Sequence, residues 1–185
     1  QTYSFESMFS DIVCAYGGHS CEKEFFGIDS SSGPSSDFNQ ATSAAKAGIE
    51  YYGMGYNTGK ISNGANIESQ KYNENVFKDI EVILTNAQIV SDLITEHYRD
   101  FNIDFTSKYS KLIGSNNCMI DGDDFRKQLK NWVASRPEAI KEDLKVLEEI
   151  IMDIIKATKK KILDLAMENA KNYYNEQITM LKKED

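Results

Sequence analysis

The chain has 185 residues, enough for one domain with a core of its own or for a small domain with an extension. Its net charge of −8 argues against nucleic acid or an anionic membrane as the main partner. Two prolines in the whole chain favour long helices over a turn-rich β-sandwich, and no apolar run is long enough to span a bilayer.

The first helix is legible from Phe5, Met8, Phe9, Ile12, Val13 and Tyr16, one apolar stripe with Ser4 as its N-cap. The pair Gly17-Gly18 either ends this helix or lets another part of the chain come close. A weaker helical pattern resumes through Cys21, Phe25 and Phe26 before Gly27. Residues 28–36, "IDSSSGPSS", form a loop by composition. An alanine-rich helix is expected from about Asp37 to Tyr52, closed by Gly53 and Gly55, and "NTGKISNGAN" is loop again.

A long helix is expected from about Glu68 to Tyr98, with Val76, Phe77, Ile80, Ile83, Leu84, Ala87, Val90 and Ile94 on one side. A shorter one covers Phe105 to Ile113, "GSNNCMIDGDD" interrupts, and another starts near Asp121 through Phe125 and Leu129. "SRPE" at Ser135 to Glu138 fits a capping box. No glycine or proline follows Pro137. Unbroken, Pro137 to Lys183 would reach about 70 Å at 1.5 Å per residue. One long helix or two packed back on the domain fit this pattern, and the second is slightly favoured. The expected class is all-α, a helical bundle with a long C-terminal helix or helical hairpin, without internal repeats.

Asp37 sits at the mouth of the alanine-rich helix. Its carboxylate can cap exposed amides there, with Gln40 completing a loose capping box. Alternatively it points into a cleft and binds a cation such as zinc, which accepts aspartate oxygen beside histidine nitrogen. His19 reads as a polar residue near a helix end, or as a zinc ligand; His97 reads as a helix-end residue. Asp121, Asp123 and Asp124 hint at calcium but lack the glycine and glutamate of an EF-hand, so helix capping is the better reading. Cys14, Cys21 and Cys118 form no CxxC pair. On one helix Cys14 and Cys21 would stand roughly 10 Å apart, too far for a disulfide. Buried free thiols in a reducing compartment are expected.

"YGGHSCEKEFFG" followed by "SSGPSSDFNQATSAAKAGIEYYGMG" resembles the second half of the peptidase domain of FtsH-type AAA+ zinc metalloproteases. The resemblance is specific over residues 12–55 and fainter to about Leu129, where "MIDGDDFRKQL" is similar to the closing helix of that domain. Residues after about 130 have no counterpart. The implied organisation is the C-terminal part of a metallopeptidase domain over 1–130 and a helical extension over 131–185. The resemblance puts Asp37 on the third zinc ligand and Gly17-Gly18 on a glycine pair. Glu22 falls on a glutamate that could orient a histidine ligand from the second layer, the alternative being a solvated carboxylate. His19, Pro34 and Ser36 depart from the usual Arg, Ala and Asn.

The other two zinc ligands and the catalytic base of that family lie on an HExxH helix. Neither HExxH nor a GxxxxGK[ST] loop for ATP occurs in this sequence. Because the chain begins at Gln1, it is expected to be a piece of a longer protein that carries both upstream, and to be inactive alone. The implied parent uses zinc and ATP, degrades unfolded or membrane proteins, and assembles as a homo-hexamer. It would lie on the cytoplasmic side, with any membrane anchor ahead of Gln1. The competing expectation is a non-catalytic helical module for oligomerisation or protein interaction.

Overall fold

The computed structural model describes residues 3–27, 31–56, 69–113 and 120–184. The loop expected over "NTGKISNGAN", Cys118 and the first part of "GSNNCMIDGDD" lie outside these residues.

Helix α1 runs Phe5–Phe26, and the Ser4 hydroxyl accepts the Ser7 N–H at 3.1 Å as its N-cap. Met8, Phe9, Ile12 and Tyr16 form its buried face. The helix passes through Gly17-Gly18 without a break and stops at Gly27, whose φ of 78° suits glycine. Helix α2, Ser35–Glu50, buries Ala41, Ala45, Gly48 and Ile49. Its thinness is required: a side chain at Gly48 would collide with the Met8 sulfur of α1.

Helix α3, Gln70–His97, starts at Ser69, whose hydroxyl accepts the Tyr72 N–H at 3.0 Å. Its inner face is Tyr72, Val76, Ile80, Ile83, Ala87 and Val90. Phe77 does not belong to that face: one position round from Val76, it is 66% exposed. Helix α4, Arg99–Ile113, begins six residues before Phe105, because only Tyr98 separates it from α3. Helix α5 is Gly122–Ala134, capped by Asp121, whose carboxylate accepts the Asp123 N–H at 2.8 Å.

Helix α6 runs Glu138–Glu184 as one element of 47 residues, so the hairpin is not formed. The stretch holds no breaker after Pro137, and its side chains pack along a neighbour without a turn. The capping box at "SRPE" is not formed either. Ser135 closes α5, donating its hydroxyl to the Trp132 carbonyl at 2.7 Å.

Helix α1 packs against both α2 and α3, and α6 lies along α3. Ile155 and Ile162 of α6 enter the core that α1, α2 and α3 form, and Asn86 donates to Thr158 at 2.8 Å across the α3–α6 contact. A second, aromatic cluster joins α4 to α5, where Phe101 meets Phe125 at 5.5 Å and Trp132 at 5.7 Å between ring centroids. Such edge-on pairs are favourable beyond the area they bury. Among the described residues there is no strand, and no helix is long and apolar enough to cross a membrane.

Candidate metal-ligand position at the start of helix α2

Asp37 is the third residue of α2 and lies inside its first turn. The N-cap position belongs to Pro34, which has no side-chain capping hydrogen bond. The capping role open to Asp37 from sequence is therefore not used, and the box with Gln40 does not form. Pro34 takes the position because proline has no N–H to satisfy and its fixed φ suits a helix start. Among the described residues the Asp37 carboxylate makes no hydrogen bond and no ion pair.

Half-buried, Asp37 stands in a cleft of about 380 Å³ between α1 and α2. Asp11, Cys14, Ala15 and Gly18 supply the α1 wall; Asp37, Gln40 and Ala44 supply the other. The two glycines of α1 now part company. A Cβ at Gly17 would meet nothing within 4 Å, while one at Gly18 would stand 3.4 Å from Asp37 Oδ2. Gly18 thus leaves the space that the carboxylate occupies.

Both oxygens of Glu22 are engaged by the loop ahead of α2. They accept the Ser31 N–H at 3.0 Å and the Ser31 hydroxyl at 2.9 Å. Within this chain the carboxylate anchors the loop that delivers Asp37. His19 stands beside Asp37 only through Phe38, its ring lying edge-on to the Phe38 ring, and its Nδ1 is buried without a partner. His97 is exposed at the end of α3, with Nδ1 2.8 Å from the Leu93 carbonyl. Asp123 pairs with Arg126 and Asp124 accepts from Tyr109 and Gln128, so the acidic run is spent on capping and local pairs.

The cysteines divide. Cys14 is exposed on the cleft wall, against the expectation of a buried thiol, because it lies off the Ile12–Tyr16 face. Cys21 is half-buried, and burial pushes its thiol pKa up. Sequence reasoning missed Asp11 and Cys14 as cleft residues. Only the three- and four-residue spacing back from Gly18 on a continuous helix could have placed them there.

A zinc site needs three or more protein ligands. Among the described residues no three His, Cys, Asp or Glu side chains come together in a way that could hold a metal. The donor chemistry fits one corner of such a site: an unpaired carboxylate, with room kept for it by a glycine. Comparison with known protein families matches residues 1–113 to Peptidase family M41, over the stretch that holds α1 to α4. The chain belongs to that family. No curated protein matches it at a significant level.

Proposed function

We propose that the chain is the aspartate-bearing part of a zinc-dependent endopeptidase domain, with Asp37 as one metal ligand. The observation that carries this reading is the Asp37 carboxylate in the α1–α2 cleft, without a hydrogen bond or ion pair among the described residues, at a position that resembles the third ligand of the family motif. Zinc in such a centre polarises the scissile carbonyl and activates a bound water. This chain's part is to hold the carboxylate ready: Gly18 leaves it room, and Glu22 ties down the loop before it.

The remaining ligands and the base are proposed to come from an HExxH helix outside this sequence, and ATP-driven delivery of substrates from a further domain. Protein substrates, a six-fold ring and a position on the cytoplasmic side belong to the same proposal for the parent. The chain alone is proposed not to cleave peptides, since a single carboxylate does not fix zinc in a defined geometry.

The test is Asp37→Asn in the complete gene product. Loss of bound zinc and of peptide cleavage, with unchanged helical circular dichroism, is expected; unchanged zinc content overturns the reading. The coding sequence upstream of Gln1 gives a second check, because an intact gene without HExxH would rule out a peptidase. Chelator-sensitive proteolysis by pure 1–185 would contradict the inactivity of the part. A second reading, a non-catalytic packing module, is favoured by the last turns of α6, where Tyr174, Met180 and Leu181 are exposed.

A further inference from the structure

Among the described residues Asp37 has no hydrogen bond to fix its direction, so its neighbours must aim it. The next residue, Phe38, is held from α1 at two points. The Tyr16 ring lies 5.9 Å from it at 58°, and the His19 ring 5.0 Å away at 72°. Tyr16 and His19 are three residues apart on α1 and so share one side of the helix. Edge-on contact is the favourable arrangement for two such rings. His19 keeps this contact although its Nδ1 is left buried and unpaired. Gly18, between the two gripping residues, leaves the gap that receives Asp37 Oδ2.

We propose that Phe38 is the positioning residue for Asp37. Its ring, gripped by Tyr16 and His19, fixes the rotation of the first turn of α2 and with it the direction of the adjoining carboxylate. The magnitudes make this matter. Side chains end about 5–6 Å from a helix axis, so a rotation of roughly 10° moves a tip by about 1 Å. A metal constellation needs its donors held within about 0.5 Å. The inference rests on the reading of Asp37 as a zinc ligand, and it adds a residue that touches neither metal nor substrate.

Two measurements test it. In the 185-residue chain, Phe38→Ala should speed amide exchange across the first two turns of α2 at least tenfold and leave α3 unchanged. In the complete peptidase, the same change should weaken zinc binding, read by chelator competition, at least tenfold. Phe38→Tyr should restore binding to within about twofold, since Phe38 is 39% exposed and a hydroxyl can reach solvent. Phe38→Leu keeps most of the apolar bulk without the ring and should fall between. Phe77→Ala removes an exposed aromatic side chain from α3 and should leave zinc affinity unchanged. Zinc affinity of Phe38→Ala within twofold of the parent, or equal losses in the Phe38 and Phe77 variants, overturns the proposal. If the unaltered complete protein binds no zinc, the ligand reading of Asp37 falls. The exchange measurement then decides alone, and unaltered exchange in α2 overturns the role of Phe38.

Discussion

Asp37 Oδ2 lies 3.4 Å from the place where a Cβ on Gly18 would stand, whereas Gly17, one residue earlier, faces open space. The two glycines therefore respond differently to substitution. Glycine inside a helix costs about 1 kcal/mol relative to alanine. In the 185-residue chain Gly17→Ala and Gly18→Ala should each raise the melting temperature by about 2–4 °C, since a methyl at Gly18 just reaches contact. Gly18→Val should lose that gain, because its extra methyls enter the space of the carboxylate. Thermal unfolding of the three variants checks this; equal melting temperatures for Gly18→Ala and Gly18→Val would contradict it.

Cys14 and Cys21 should differ in alkylation rate. Cys14 is exposed in the cleft, and Cys21 is half-buried with its thiol pKa raised, first by burial and then by the nearby Glu24 charge, against the Thr95 hydrogen bond. Only the thiolate reacts. Peptide mapping after brief iodoacetamide treatment near neutral pH should find Cys14 modified well ahead of Cys21. Equal labelling would show that Cys21 is not shielded in solution.

Asp92 should contribute to the acid limb of stability. Burial alone would raise its pKa; hydrogen bonds from Lys23, Ser20 and Gln88 and the Lys23 charge outweigh that and hold it below the usual carboxylate value. A group with a lowered folded pKa stabilises the protein above its unfolded pKa. That stabilisation is lost as pH falls through the folded value. Asp92→Asn should therefore destabilise the chain at neutral pH and make almost no difference at low pH. Because Asp92 and Lys23 are both partly solvated, the effect at neutral pH should be modest, about 1 kcal/mol. Urea unfolding of both proteins across the acid range measures it, and a pH-independent difference would reject the assignment.

Ending the chain at Ala134 should unfold it. That truncation removes Leu144, Leu147, Ile155 and Ile162, all buried. At about 1.5–3 kcal/mol for each side chain the loss is roughly 6–12 kcal/mol, which matches the whole stability of an ordinary domain. Ending at Asn172 instead keeps all four and should leave a folded protein. Circular dichroism and sedimentation of the two truncations distinguish core from appendage; a folded, monomeric 1–134 would make α6 an accessory.

The stripe of α1 was readable because Met8, Phe9, Ile12 and Tyr16 repeat with the helical period, and the small residues of α2 announced a close neighbour. Phe77 misled because a window of apolar residues does not say where the stripe ends, and only burial against α1 and α2 separates it from Val76. The "SRPE" box misled for a different reason. Its residues suit a helix start, but the same serine closes α5, and local pattern does not rank the two uses. At the site, motif resemblance picked out Asp37 and Glu22. The use of Glu22 on Ser31 and the grip of Tyr16 and His19 on Phe38 depend on how α1 and α2 are set against each other, which no spacing along one helix encodes.

Lys159 on α6 pairs with Glu6 on α1, 153 positions away in the chain. Synthesis at about 5–20 residues per second puts roughly 8–30 s between the emergence of these partners. Until then Ile155 and Ile162 are missing from the core that α1, α2 and α3 form, and the strip of α3 that α6 covers stays exposed. Such late, long-range closure slows folding and exposes the chain to aggregation. During synthesis the face of α3 that α6 covers is therefore the last part of this core to be closed.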